Sequence, residues 1–180
     1  MSVSRKQQHA FIQAFTLIEV LMTLLLAVIL AAIAYPSYRS VMQNTRVTAV
    51  TNDFMSSLAY ARAEALKRNQ SVSICAAVDN RFLSCGQASD WLNGWIIFID
   101  PNHTGKIATP ADRLKIYSAL TSGAIISTAI PYISYNRSGF LAAGAGAFTV
   151  TVAGCVGNSA RLVTLGVTGR ANLTSTACTF

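Results

Sequence analysis

Residues 15–35 read FTLIEVLMTLLLAVILAAIAY, from Phe15 to Tyr35, and this run decides how the rest of the chain is organised. Its only charge is Glu19, and inside it the only other polar side chains before the closing tyrosine are Thr16 and Thr23. At about 1.5 Å per residue the run makes a helix of roughly 30 Å, the hydrocarbon thickness of a bilayer. Leu, Ala, Ile and Met dominate it, Gly is absent, and the first proline is Pro36, so helix is the favoured local state. No second run of this length and polarity follows.

The whole chain has 180 residues, 52% hydrophobic and 12% charged, with a formal net charge of +7. Such a composition excludes intrinsic disorder, which needs low hydrophobicity and high charge. Eleven Gly and four Pro without a three-residue period exclude collagen. What remains is one apolar span near the N-terminus and one domain of ordinary polarity.

Arg5 and Lys6 precede the span while Arg39 and Arg46 follow it, so counting flanking cations does not orient it. The cysteines do. Cys75, Cys85, Cys155 and Cys178 all lie in the long C-terminal segment, and disulfides persist outside the cytosol. The large domain is therefore expected outside, with the short basic segment inside. Four cysteines allow three connectivities. Local pairing, Cys75–Cys85 and Cys155–Cys178, is expected: the first pair brackets a polar loop and the second ties the C-terminal tail to the sheet. Zinc is disfavoured, because there is no C-x-x-C spacing and no second usable histidine.

Beyond Pro36, apolar Val47, Val50, Phe54, Leu58, Ala61 and Ala65 recur at spacings of three and four, with most charges off that stripe. One helix is expected from Phe15 to about Arg68, bent near Pro36, with Asn69 as its stop. After Asn69 come short strand-like runs broken by Gly, Asn, Pro and Ser: Val72–Ala77, Trp95–Ile99, Leu114–Ser118, Ile130–Tyr135, Phe148–Ala153, Arg161–Leu165 and Gly169–Leu173. The Gly/Ala stretch Ala142–Ala147 reads as a loop. One long helix followed by many strands predicts an α+β domain with an antiparallel sheet.

A secretory signal would end at Ala32-Ile33-Ala34, but its apolar region would be too long and would contain a carboxylate. A plain anchor leaves Glu19 unexplained, since a carboxylate at the centre of the hydrocarbon costs about 2.5–3.5 kcal/mol. Ala14-Phe15-Thr16-Leu17-Ile18-Glu19 instead resembles the processing site of type IV prepilins and pseudopilins. That resemblance implies a leader over residues 1–14 with cleavage between Ala14 and Phe15, and Ala14 stands where the family usually has Gly. It also implies N-methylation of Phe15 by the prepilin peptidase, and an assembly role for Glu19. Paired with the N-terminal ammonium of a neighbouring helix, the carboxylate ceases to be an orphan charge in lipid.

The second half carries an independent pattern. Trp91-x-x-Gly94-Trp95, Phe98-x-Asp100-x-Asn102-x-x-Gly105, Arg68-Asn69, Val72-x-Ile74-Cys75, Ser138-Gly139, Arg161, Gly169-Arg170 and Cys178 resemble the GspH/FimT (FimU-like) group of minor pilins and pseudopilins. The resemblance implies a leader over 1–14, a transmembrane and filament-core helix over 15–36, an amphipathic helix over 37–69, and a β-rich domain over 70–180. It implies a non-enzymatic subunit that primes or caps a type IV pilus or a type II secretion pseudopilus. Its partners would be other pilins, the prepilin peptidase and the inner membrane, with the domain in the periplasm. In the FimT branch it implies capture of double-stranded DNA, where the motif is Gly-Arg-x-Arg; here Gly169-Arg170-Ala171-Asn172 keeps only the first arginine.

Three features have plainer readings. Asp100-x-Asn102-x-Thr104-Gly105 opens like a calcium loop, but Ala111 stands where the bidentate Glu belongs, so a side-chain-stabilised turn is expected. Trp91, Trp95 and Phe98 suit a core better than a binding face. His103 is the only imidazole beyond the leader, and no phosphate loop, paired-carboxylate site or C-x-x-C motif accompanies it, so no enzyme and no cofactor are expected. From Arg39 onward, twelve Lys/Arg and six Asp/Glu give 12 − 6 = +6. That charge would attract an anionic surface or DNA phosphates, with Arg137, Arg161 and Arg170 as the candidate contacts.

Overall fold

The computed structural model describes residues 15–120 and 123–178. The chain divides into two compact units, Met1–Arg39 and Ser40–Phe180. Helix α1, Leu17–Arg68, contributes to both and runs through Pro36 without interruption.

Thr16 starts α1. Its Oγ1 accepts the backbone N–H of Glu19 at 3.3 Å, satisfying one of the donors that a helix N-terminus leaves free. Asn69 ends it. With φ of +53° it adopts the left-handed conformation that asparagine tolerates better than most residues. The Gln70 and Asn69 amides then donate to the carbonyls of Ala65 and Leu66 at 3.3 and 3.4 Å, which closes the helix in a Schellman motif.

Nine strands follow among the described residues: β1 Val72–Ala76, β2 Trp95–Ile99, β3 Arg113–Tyr117, β4 Ala124–Ser127, β5 Tyr132–Tyr135, β6 Leu141–Ala143, β7 Gly146–Val152, β8 Ala160–Leu165 and β9 Ala171–Thr176. They form two antiparallel sheets, ordered β3-β2-β1-β5-β6 and β4-β7-β8-β9. Short 3₁₀ turns at Ala88–Asn93 and Pro110–Asp112 lead into β2 and β3.

The core lies between the Ser40–Arg68 part of α1 and both sheets. Val47, Phe54, Leu58, Ala61 and Ala65 are buried along one helix stripe, as the spacing predicts. They meet Ile74, Ile97 and Ile133 of the first sheet and Phe148, Val150 and Val163 of the second. Period two sorts β1 and β2. Ile74, Trp95 and Ile97 face the main core, while Cys75, Ile96 and Phe98 face a smaller cluster with Phe82 and Ile107. Both faces are thus covered, and these central strands read as continuous apolar runs rather than alternating ones.

β4 and β6 carry no strand signal in the sequence, and Ala142–Ala147 differs from the loop its composition suggests. β4 and β6 have only four and three residues, too short for periodicity to register. Ala142–Ala147 is not a loop. β6 runs to Ala143 and pairs with β5, while β7 starts at Gly146 and pairs with β4 and β8, so the stretch is a two-residue crossing from the first sheet to the second. Gly144 makes the turn at φ +85°, and a Cβ there would sit 2.5 Å from the Tyr132 carbonyl oxygen. The last strand is also displaced, to Ala171–Thr176, because Gly166–Gly169 form the turn before it, with the Gly169 N–H donating to the Gly166 carbonyl at 2.8 Å.

Cys75 is bonded to Cys85 and Cys155 to Cys178, with Cα separations of 5.5 and 5.8 Å. The first bond closes the loop after β1 onto the smaller cluster, and the second joins the turn after β7 to the chain leaving β9. Replacing Cys155 and Cys178 by serine is expected to lower unfolding free energy by about 3 kcal/mol on loop-closure grounds. A urea titration followed by tryptophan fluorescence measures it; an unchanged midpoint would count against this account.

Candidate functional site

The N-terminal part of α1 is the first site. Every residue from 15 to 35 is exposed, including Leu17, Leu24, Val28 and Ile33. Within this apolar surface stands one carboxylate, Glu19, in the first helical turn, where the helix dipole favours negative charge. Thr16-x-x-Glu19 is also the sequence form of a capping box, a signal the sequence reading passed over. Phe15 is exposed immediately before the cap. Ala14 and the expected leader 1–14 lie outside the described residues.

The tryptophan motif is structural. Trp91 and Trp95 are buried, and the indole N–H groups donate to the Ile130 carbonyl at 2.8 Å and to Ser57 Oγ at 2.7 Å. Phe98 is buried on the opposite sheet face.

Asp100 organises the turn that follows β2. Its carboxylate accepts the Thr104 and Gly105 backbone N–H groups at 3.0 and 2.8 Å, the Thr104 hydroxyl at 3.1 Å and the Ser73 hydroxyl at 2.8 Å. Four donors saturate it, so it is the anchor of a turn rather than a metal ligand. No cluster of potential metal ligands occurs among the described residues.

A polar chain continues from Asp100. Ser73 Oγ lies 2.8 Å from the Asp100 carboxylate and 2.8 Å from Ser134 Oγ. His103 then bridges two serines, with Nδ1 2.7 Å from Ser134 Oγ and Nε2 3.2 Å from Ser71 Oγ. His103, at φ +55°, thereby fastens the turn to β1 and β5. Ser71, Ser73 and Ser134 were not visible as partners in sequence, since Ser73 and Ser134 meet only through the β1–β5 register.

The three arginines singled out for phosphate contact have different surroundings. Arg161, half-buried on β8, donates to Asn44 Oδ1 at 2.8 Å and to the Ser159 and Ala160 carbonyls. Arg137 is exposed on the Asn136–Gly139 turn and borders a polar groove with Asn69, Gln70, Ser71 and His103. Arg170 is exposed beside a different groove, of about 390 Å³, walled by Met55, Leu58, Ala59, Ala63 and Leu66 of α1. The two turns touch: a Cβ on Gly169 would stand 2.3 Å from the Gly139 carbonyl oxygen. Nothing in this arrangement favours DNA over another anionic partner.

Tyr135 lines the second groove, fully buried, and its hydroxyl has no hydrogen-bond partner among the described residues. Burial pushes its pKa up to about 12, with the Arg62 charge acting in the opposite sense. In the unfolded chain a tyrosine ionises near pH 10. The folded state therefore holds a proton that the unfolded state has lost between those values. This contribution is intact below pH 10 and falls away as pH rises toward about 12, by about 2–3 kcal/mol in all. Comparing Tyr135→Phe with the parent isolates it. The difference in unfolding free energy should be flat from pH 7 to 9 and should grow in favour of the variant above pH 10. Parallel curves over that range would overturn the assignment.

The model of the type II transport protein GspH matches residues 50–169, which is 120 of the 180 residues. Among solved structures, the type IV minor pilin FimU of Pseudomonas aeruginosa is similar in two crystal forms. One gives 22% identity and a TM-score of 0.51, over 71% of this chain and 91% of that one. The other gives 19% and 0.52, over 72% and 89%. The minor pseudopilin EpsH of the Vibrio cholerae type 2 secretion system has 15% identity and a TM-score of 0.47, over 72% and 97%. No curated protein sequence matches significantly. At such identities the likeness to FimU speaks for the fold: a long N-terminal helix carrying an antiparallel β domain. The family match over two thirds of the chain says more, and by it the chain belongs to the GspH family of type II transport proteins.

Proposed function

We infer that the chain is a minor pilin or pseudopilin, a structural subunit and not a catalyst, held in the membrane by α1 until it enters a filament. The observation that carries this reading is the exposed apolar surface over residues 15–35 with Glu19 as its only charge. A surface of that kind requires lipid or other apolar helices around it. The carboxylate gives it a reason to leave lipid for a filament, where a neighbouring ammonium can pair with it. Family membership supports assembly with other pilins.

Residues 1–14 are a leader removed between Ala14 and Phe15 by a prepilin peptidase, and the new amine on Phe15 is methylated. Residues 15–36 serve in the bilayer and then in the filament core, 37–69 join them to the domain, and 70–180 stand in the periplasm of a bacterium whose inner membrane holds the span. The disulfides fit an oxidising compartment. The subunit primes or caps its filament.

Intact-mass measurement of the membrane-extracted protein tests the processing step. Loss of residues 1–14 with one added methyl on Phe15 is expected. A chain beginning at Tyr35 would instead establish an ordinary secretory signal, and an uncut chain would reject processing.

A further inference from the structure

The groove beside Arg170 holds one buried hydroxyl and two arginines that form no salt bridge among the described residues. Arg62 is half-buried, yet among the described residues its one hydrogen bond is a 3.3 Å contact from Nη1 to the Gly169 carbonyl. The salt bridges among the described residues are Lys67–Glu64, Arg68–Glu64 and Arg81–Asp79, and none involves Arg62 or Arg170. Tyr135 Oη, wholly buried, has no acceptor among the described residues. A buried hydroxyl left unpaired costs free energy, as does a half-buried guanidinium with no counter-charge, and an incoming carboxylate would recover both. Around them the wall is aliphatic, and Leu66 is 52% exposed although it faces the groove.

Resting on the subunit reading above, we propose that this groove receives an acidic side chain from a neighbouring filament subunit. The carboxylate sits between Arg62 and Arg170 within reach of Tyr135, and the apolar residues flanking it lie along Met55, Ala59, Ala63 and Leu66. Arginine forks fit carboxylates in a bidentate manner, and the loss of exposed leucine surface adds a non-directional term. A duplex fits this place poorly. DNA affinity comes from many cations spaced along the backbone, whereas here two arginines flank an aliphatic slot of about 390 Å³. The position on α1 is also consistent with a subunit contact, because the same helix carries the surface assigned to filament packing.

The test places a photo-crosslinking amino acid at Ala63 of the full chain, expressed in the bacterium that makes it, and irradiates sheared filaments. The expected result is an adduct with another pilin subunit, whose crosslinked peptide contains Asp or Glu. Adding Arg170→Glu should cut the yield about tenfold, and replacing the identified acidic residue by arginine should restore it. Arg170 is exposed, so this variant leaves the core untouched. Tyr135→Phe should also lower the yield while leaving thermal stability equal or higher, a combination that a merely structural tyrosine would not give. No adduct, an adduct to DNA, or a yield indifferent to Arg170→Glu would overturn the docking site. If the chain enters filaments normally in those cases, the subunit reading stands alone. If the unsubstituted chain is absent from filaments, both fall.

Discussion

Replacing Phe54 by alanine is expected to lower the unfolding free energy by about 3–5 kcal/mol, the range for deleting a buried aromatic side chain. Phe54 is wholly buried at the point where the helix meets both sheets. Its ring lies edge-on to Trp91 and to Trp95, with centroids 5.6 Å away in each case, and tilted against Phe148 at 5.1 Å. The loss has two parts. Transfer of the ring from water is forfeited, and the surrounding rings keep a cavity because they are fixed elsewhere. Trp91 is held by its hydrogen bond to Ile130, Trp95 by its bond to Ser57 and its stacking on Tyr117 at 5.2 Å. Domains of this kind hold only about 5–15 kcal/mol in total, so the variant should sit near the edge of folding at 37 °C. Urea titration of the detergent-solubilised protein, followed by tryptophan fluorescence, measures the shift. Phe54→Leu should recover much of it, because most of the volume returns. A loss below about 1 kcal/mol for Phe54→Ala would show that the rings relax inward and that the junction is not rigid.

The same junction shows which parts of the molecule were legible in its sequence. Val47, Phe54, Leu58, Ala61 and Ala65 announce themselves at helical spacing, because burial of one helix face leaves a 3.6-residue trace. Trp95–Ile99 and Val72–Ala77 announce themselves as apolar runs. β4 and β6 do not, being set by pairing with β7 and β5 rather than by any pattern of their own. The crossing at Gly144, from β6 in one sheet to β7 in the other, is hidden for a related reason: alanine and glycine carry no periodic signal, and only the carbonyl of Tyr132 shows why glycine is needed there. At the sites the division is similar. Glu19 is conspicuous by being alone in an apolar run. The groove is not, since Arg62, Tyr135 and Arg170 come from a helix, a strand and a turn, separated by more than 30 residues at each step. Arg170 could be named from a local motif, but what it faces depends on Gly139 and Gly169 letting two turns touch.

Glu19→Val should reduce entry into filaments at least tenfold while leaving leader removal largely intact. The expected size follows from the charge: a carboxylate at the centre of the hydrocarbon costs on the order of 2.5–3.5 kcal/mol, and in the proposed assembly a neighbouring ammonium would offset much of such a cost. Valine removes both the penalty in lipid and the reward for leaving it, so the preference for the filament disappears. The structure separates this effect from simple damage to the helix. Thr16 caps α1 through the backbone N–H of Glu19, not through its carboxylate, so the cap survives the substitution. The favourable contact of the carboxylate with the helix dipole, about 0.3–1 kcal/mol, is present in lipid and in filament alike and cancels between them. Glu19→Gln keeps size and polarity without the charge and should fail nearly as completely as valine. The ratio of sheared-filament to membrane-bound protein reads the outcome, with intact mass as the control for cleavage. Normal incorporation of either variant would remove the carboxylate from assembly and leave Glu19 as a dipole-stabilising residue of the first helical turn.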